Sequence, residues 1–170
     1  MRTILAASVA FMVSLPALSQ AKKPVHFGWQ QEPKAFRGIA WGTSEKDAKA
    51  ALKFESCSDV TATPPGAKIR RCVSPFNLGS VSVSGYLQFM NDKLVSAFGD
   101  FPSEKYQTVR TAVVQEYGPP MTVNTPAVSI RSGPFEHLTW EGPTIAIVLD
   151  AEGYFHIFTV AYRAVVLKLN

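Results

Sequence analysis

Residues 80–90 alternate: Val81, Val83, Leu87 and Phe89 are interleaved with Ser82, Ser84, Tyr86 and Gln88. A period of two places the four apolar side chains on one face of an extended strand, whereas a helix would scatter them around its circumference. Asn91-Asp92 follows, and then the apolar run 94–98. Asn and Asp tolerate the left-handed backbone of a tight turn, so the segment predicts a β-hairpin with one face buried and one turned outward. Such a hairpin needs a cover for its apolar face.

Two helical segments offer that cover. Ser44 precedes Glu45 and Asp47, with Ala48, Ala51 and Leu52 at helical spacing. A serine cap, acids in the first turn and an apolar stripe predict a short amphipathic helix. From Ser103, a second helix carries Tyr106, Val109, Val113 and Tyr117 on one side and ends at Gly118-Pro119-Pro120. Glycine suits a left-handed stop and proline forbids continuation.

Further strands are predicted at 68–75, 127–131, 137–140 and 144–149. A turn at Asp150-Ala151-Glu152-Gly153 then leads into a last strand from 154 to about 167, rich in Tyr, Phe, Val and Ile. The fold class expected is α+β: an antiparallel sheet with helices packed on one face, arranged as two tandem α-β-β-β units over 36–100 and 101–170.

The N-terminus reads as a targeting segment. Arg2 is followed by a mostly apolar run and by small residues at Ser19 and Ala21, so residues 1–21 are expected to be a secretory signal peptide cut after Ala21, or alternatively after Ser19. No cysteine follows the cut to carry lipid. Residues 22–35, with Lys22, Lys23, Pro24, Gly28, Pro33 and Lys34, read as a flexible leader, and 36–170 as a single domain. The expected location is the periplasm, with secretion outside the cell as the alternative, and no transmembrane segment is expected once the signal is removed.

Removing residues 1–21 leaves 16 basic residues against 13 acidic ones. That excess is mild, and without a basic stripe interleaved with aromatics it predicts no nucleic-acid partner. Lys68, Arg70 and Arg71 read as solvated surface. Cys57 and Cys72, with 14 residues between them, are expected to form a disulfide in an oxidising compartment. Closing such a loop stabilises a fold by roughly 3 kcal/mol.

Phe36-Arg37-Gly38-Ile39-Ala40-Trp41-Gly42-Thr43-Ser44 resembles the opening of many small uncharacterised bacterial periplasmic proteins. Phe89-Met90-Asn91-Asp92-Lys93-Leu94 and Tyr117-Gly118-Pro119-Pro120 resemble later points of the same progression. The arrangement is also similar to the small lipoproteins of outer-membrane assembly and to the tandem modules of β-lactamase inhibitory proteins. The resemblance implies action through protein contacts rather than catalysis, and the missing lipid-bearing cysteine sets this chain apart from the lipoproteins.

No motif predicts catalysis. His26, His137 and His156 lie far apart and share no spacing with cysteines, so no metal site or cofactor is expected. The serines of 80–84 lack the G-x-S-x-G pattern, and the glycines form no phosphate cradle. Glu136 and Glu141 flank a strand bearing Trp140, with Asp150 near the next turn, which raises a glycan- or peptide-cleaving enzyme as an alternative. An offset of five, however, puts the two glutamates on opposite strand faces. The outer aromatics remain: Tyr86, Tyr154 and Tyr162, together with Trp140, are the candidate binding surface. The leading expectation is a non-enzymatic protein that binds another envelope or secreted protein through this sheet face, an inhibitor or immunity protein being a further alternative.

Overall fold

The computed structural model describes residues 32–52, 54, 56–60, 66–123 and 136–166. In chain order it runs β1 (Ala35–Phe36), β2 (Ile39–Ala40), α1 (Glu45–Ala51), β3 (Cys57–Asp59), β4 (Ile69–Val73), β5 (Phe76–Leu78), β6 (Val81–Met90) and β7 (Lys93–Asp100). A tight turn at Ser103–Lys105 leads into α2 (Tyr106–Tyr117), followed by β8 (Thr122–Val123), β9 (His137–Glu141), β10 (Ile145–Asp150), β11 (Tyr154–Thr159) and α3 (Val160–Val166). The α+β class is observed: β1 and β2 form a two-stranded sheet, and the other nine strands form one antiparallel sheet in the order β3-β4-β6-β7-β11-β10-β9-β8, with β5 on β6. Segment 137–140 becomes β9 and 144–149 becomes β10, while the predicted strand 127–131 lies outside the described residues.

The β6–β7 hairpin forms for the reason its sequence announces. Asn91 and Asp92 take positive φ values of 50° and 63°, the backbone of a two-residue hairpin turn. Their side chains then tie the turn outward: Asn91 Oδ1 accepts from Lys68 N, and Asp92 Oδ1 from Glu45 N at the start of α1. Register slips between Gln88 and Phe89, which oppose Ser96 and Leu94 respectively, so Val95 is the extra residue of a bulge. Gly85 breaks the apolar alternation because Phe76 packs over it, and a Cβ there would meet the ring at 2.3 Å.

Segment 36–100 supplies α1 and then β3, β4, β6 and β7; segment 101–166 supplies α2 and then β8 to β11. The two runs meet where β7 pairs with β11. Beyond the α-β-β-β reading the first run carries two more strands, since β5 also lies in it, and the second carries one more; Cys57–Asp59, Phe76–Leu78 and Thr122–Val123 are too short to show periodicity. The main core lies on one sheet face, where Leu87, Phe89, Leu94, Leu138, Trp140, Ile147, Leu149, Phe155 and Ile157 meet Ala48 of α1 and Tyr106, Val109 and Val113 of α2. Ser44 caps α1 by accepting from Asp47 N, as its position predicts.

Two expectations are corrected. The last strand ends at Thr159, not near 167, and the chain turns into α3. Thr159 is the last residue paired to β10, opposite Ile145, and Val160 N still donates to Thr144 O before the backbone turns into the helix, which satisfies its own groups. Thr159 Oγ1 accepts from Tyr162 N at the helix start. Nor do all helices share one face. Tyr162 of α3 packs with Ile69, Val95, Ala146 and Phe158, a second cluster on the side of the sheet away from α1 and α2.

The folded chain also begins before 36. Glu32 accepts from Thr144 N, Thr144 Oγ1 and Ile145 N at 2.9, 2.6 and 3.2 Å, and Trp41 Nε1 donates to Pro33 O. Within residues 32–35, read as the end of a flexible leader, Glu32 is thus tied to the β9–β10 turn, Pro33 and Lys34 to Trp41, and Ala35 to Ala40 of β2. Among the described residues no helix is long and apolar enough to cross a membrane.

Candidate functional site

The sheet face away from α1 and α2 carries six rings in contact. Tyr86 of β6 stacks on Phe98 of β7 with centroids 5.2 Å apart, and Phe98 reaches Tyr154 and His156 of β11 at 6.4 and 5.5 Å. His156 in turn contacts Tyr154, Phe158 and Tyr162 at 5.9, 4.5 and 6.3 Å. Register creates this patch: Tyr86 opposes Phe98, which opposes His156, so one row of cross-strand neighbours crosses three strands. Tyr86, Phe98, Tyr154 and His156 are half-buried, and the flanking Ser82, Ser84 and Asp100 are exposed. Helix α3 closes only the end of the patch that holds Phe158 and Tyr162.

Two polar bonds lie beneath the α3 end. Tyr162 Oη donates to Gln88 Oε1 at 2.6 Å, and Ser96 Oγ lies 2.6 Å from His156 Nε2. Gln88 and Ser96, which strand alternation would leave in solvent, are 4% and 0% exposed. Burial pushes His156 down to about 4, so near neutral pH its imidazole carries no charge. Burial also pushes the Tyr154 hydroxyl up, with Tyr162, Asp100 and Asp150 adding to the rise and Arg71 opposing it. Burial raises the Tyr162 hydroxyl as well, so the hydroxyls of Tyr154 and Tyr162 remain donors.

Arg71 is the cation of the patch. Its guanidinium carbon lies 5.0 Å from the Phe98 ring centre and 5.7 Å from that of Tyr86. Its neighbour Arg70 points to the other side and binds Glu45 at 2.8 Å and Asp59 at 3.6 Å. The basic cluster read as plain solvated surface thus splits, because consecutive strand residues face opposite ways. Arg71 is the site residue the sequence reading missed; the available signal was its two-residue spacing from Ile69, which shares its face.

The sequence candidates are distributed unevenly. Tyr86, Tyr154 and Tyr162 do come together, though Tyr162 arrives from a helix and is 8% exposed. Trp140 does not join them: it is 0% exposed in the main core, on the opposite face, and its Nε1 donates to Gly118 O at the end of α2. Leu138 and Trp140 alternate with Thr139, and the apolar pair takes the core side.

Cys57 and Cys72 oppose each other in β3 and β4 and are joined by a disulfide of 2.02 Å. Glu45 lies near both sulfurs, but their use in the disulfide leaves no thiolate for a metal. Glu136 accepts from Tyr106 Oη and faces Arg110 of α2, while Glu141 pairs with Arg163 of α3 at 2.6 Å. The two glutamates thus serve helices on opposite faces and stand roughly 16 Å apart along the extended chain, beyond the separation of a glycosidase pair. His137 is half-buried on β9, and His26 lies outside the described residues.

Compared with protein-family models, with curated proteins and with solved structures, the chain gives no match.

Proposed function

We propose that this is an exported, periplasmic protein that acts by binding another envelope or secreted protein through the aromatic sheet face. The observation that carries the reading is the open end of the ring cluster: Tyr86, Phe98 and Tyr154 lie in contact beside exposed Ser84 and Asp100, on a face that α3 covers only at its other end. Aromatic side chains supply large contact area with few rotatable bonds, and Tyr and Arg are enriched where proteins meet. The Cys57–Cys72 disulfide supports an oxidising compartment. The apolar run and small residues of 1–21 support export.

The test is site-specific photo-crosslinking in intact cells. A photoreactive residue at Ser84, on the sheet face, should give a discrete adduct with a second protein, while the same residue at exposed Thr108 on α2 should not. Equal labelling at both positions, or no adduct at Ser84, would remove the reading. Fractionation of the full chain checks export: a periplasmic product shortened by residues 1–21 is expected, and a full-length cytoplasmic one would refute it.

A further inference from the structure

We propose that Arg71 is a carboxylate-binding residue, and that the sheet face receives an acidic side chain of the partner protein flanked by apolar residues. The inference rests on the protein-binding reading and names the chemistry of the contact. Among the described residues Arg70, Arg110 and Arg163 each lie within 4 Å of a carboxylate, as the 2.8, 3.5 and 2.6 Å separations show. Arg71 has none within 4 Å, although it sits on the same sheet and is half-buried; the remaining described arginine, exposed Arg37, donates instead to Pro75 O.

Its donors are also unmet. Arg71 Nε is shut off from solvent without a hydrogen-bond partner; Arg70 Nε and Arg110 Nε are enclosed in the same way but each has a carboxylate within 4 Å, which Arg71 lacks among the described residues. A guanidinium carries five N–H donors and no acceptor, so a half-buried one without an anion leaves donor capacity facing the ligand side. With Nε enclosed, the accessible edge is the Nη pair, which matches the two oxygens of a carboxylate in a bidentate fork. Phe98 and Tyr86 hold the plane from below at 5.0 and 5.7 Å, which orients the fork before any ligand arrives.

The surroundings select the rest of the ligand. Tyr154 Oη makes no hydrogen bond among the described residues, and Arg71 is close enough to act on its titration and on that of Tyr162, so a second donor belongs to the same patch. The rings supply an apolar floor. Asp100, exposed at the far edge beside Ser84, would repel a ligand of uniformly negative charge and favours one acid set among apolar neighbours.

The experiment compares two peptides on the folded, disulfide-bonded protein: Ac-Gly-Leu-Glu-Phe-Gly-NH2 and its counterpart with Gln in place of Glu. Backbone amide shifts of β6, β7 and β11 are followed by NMR during titration. The Glu peptide should bind at least about tenfold more tightly, a discrimination within the range of one charge-assisted pair. Arg71→Gln should abolish the preference, and Arg71→Lys, which keeps the charge but not the fork, should retain only part of it. Equal binding of the two peptides, absence of binding by either, or an unchanged preference in Arg71→Gln would overturn the assignment. The peptide pair needs no variant, so a misfolded Arg71→Gln leaves the comparison intact. If crosslinks at Ser84 persist while the peptides bind equally, the carboxylate assignment fails and the protein-binding surface stands.

Discussion

Replacing His156 by Gln removes the one imidazole at the centre of the ring cluster, and its effect on stability should depend on pH in a calculable way. In the folded protein burial holds His156 near 4, against 6.5 for the free side chain. A base with a depressed folded value is uncharged in the native state while the unfolded chain binds a proton. Its penalty is therefore negligible above about pH 6.5, grows as pH falls, and is complete below about pH 4. A difference of this size corresponds to about 3 kcal/mol at the plateau and to about 2 kcal/mol between pH 7 and pH 5. Asp150, raised by burial against its backbone bonds to Tyr154 and Glu152, gains relative stability as pH falls, and Glu32, lowered by its bonds to Thr144 and Ile145 despite burial, loses it. Both are common to the two proteins and cancel in the difference. Urea unfolding of wild type and His156→Gln at pH 7 and pH 5 reads it directly. Wild type should lose about 2 kcal/mol more than the variant over that interval. Equal losses, within the error of linear extrapolation, would show that His156 is free to protonate in the folded state and would refute the burial argument.

The same approach reaches the rest of the molecule. Tyr162→Phe leaves Gln88 Oε1 buried without its 2.6 Å donor and should lower stability by about 1–2 kcal/mol at neutral pH, measured by denaturant midpoint; an unchanged midpoint would mean that α3 is not held by this bond. Reducing Cys57–Cys72 should cost roughly 3 kcal/mol, and native material should resist alkylation until reductant is added; two thiols that alkylate freely by intact mass would show the bond is not formed.

Features with local causes were legible in the chain. The Ser44 cap, the face of α2 defined by Tyr106, Val109 and Val113, and the β6–β7 hairpin all arise from interactions within a few residues. The elements that escaped are those whose causes lie elsewhere. Residues 160–166 have strand-favouring composition, yet form a helix that lays Tyr162 against Ile69, Val95 and Ala146, which are distant in sequence. Trp140 looked like a surface aromatic because its strand holds polar neighbours, but which side of β9 is inward depends on where α2 packs. Gln88 falls on the outward side by alternation but is buried, 4% exposed, where Tyr162 of α3 bonds to it, and Ser96, 0% exposed, lies against His156 of β11.

By itself the sequence determined that this chain is α+β, with a hairpin at 81–100, two amphipathic helices and a pair of cysteines suited to bonding. Those properties follow from periodicity, capping and turn chemistry, which act over a few residues. Only the tertiary structure decided that Arg71, Tyr86, Phe98, Tyr154 and His156 share one face, and that Arg70 and Trp140 do not. Strand register and helix placement set that outcome through contacts between residues as distant as Gln88 and Tyr162, 74 positions apart, and no local rule carries information over that distance.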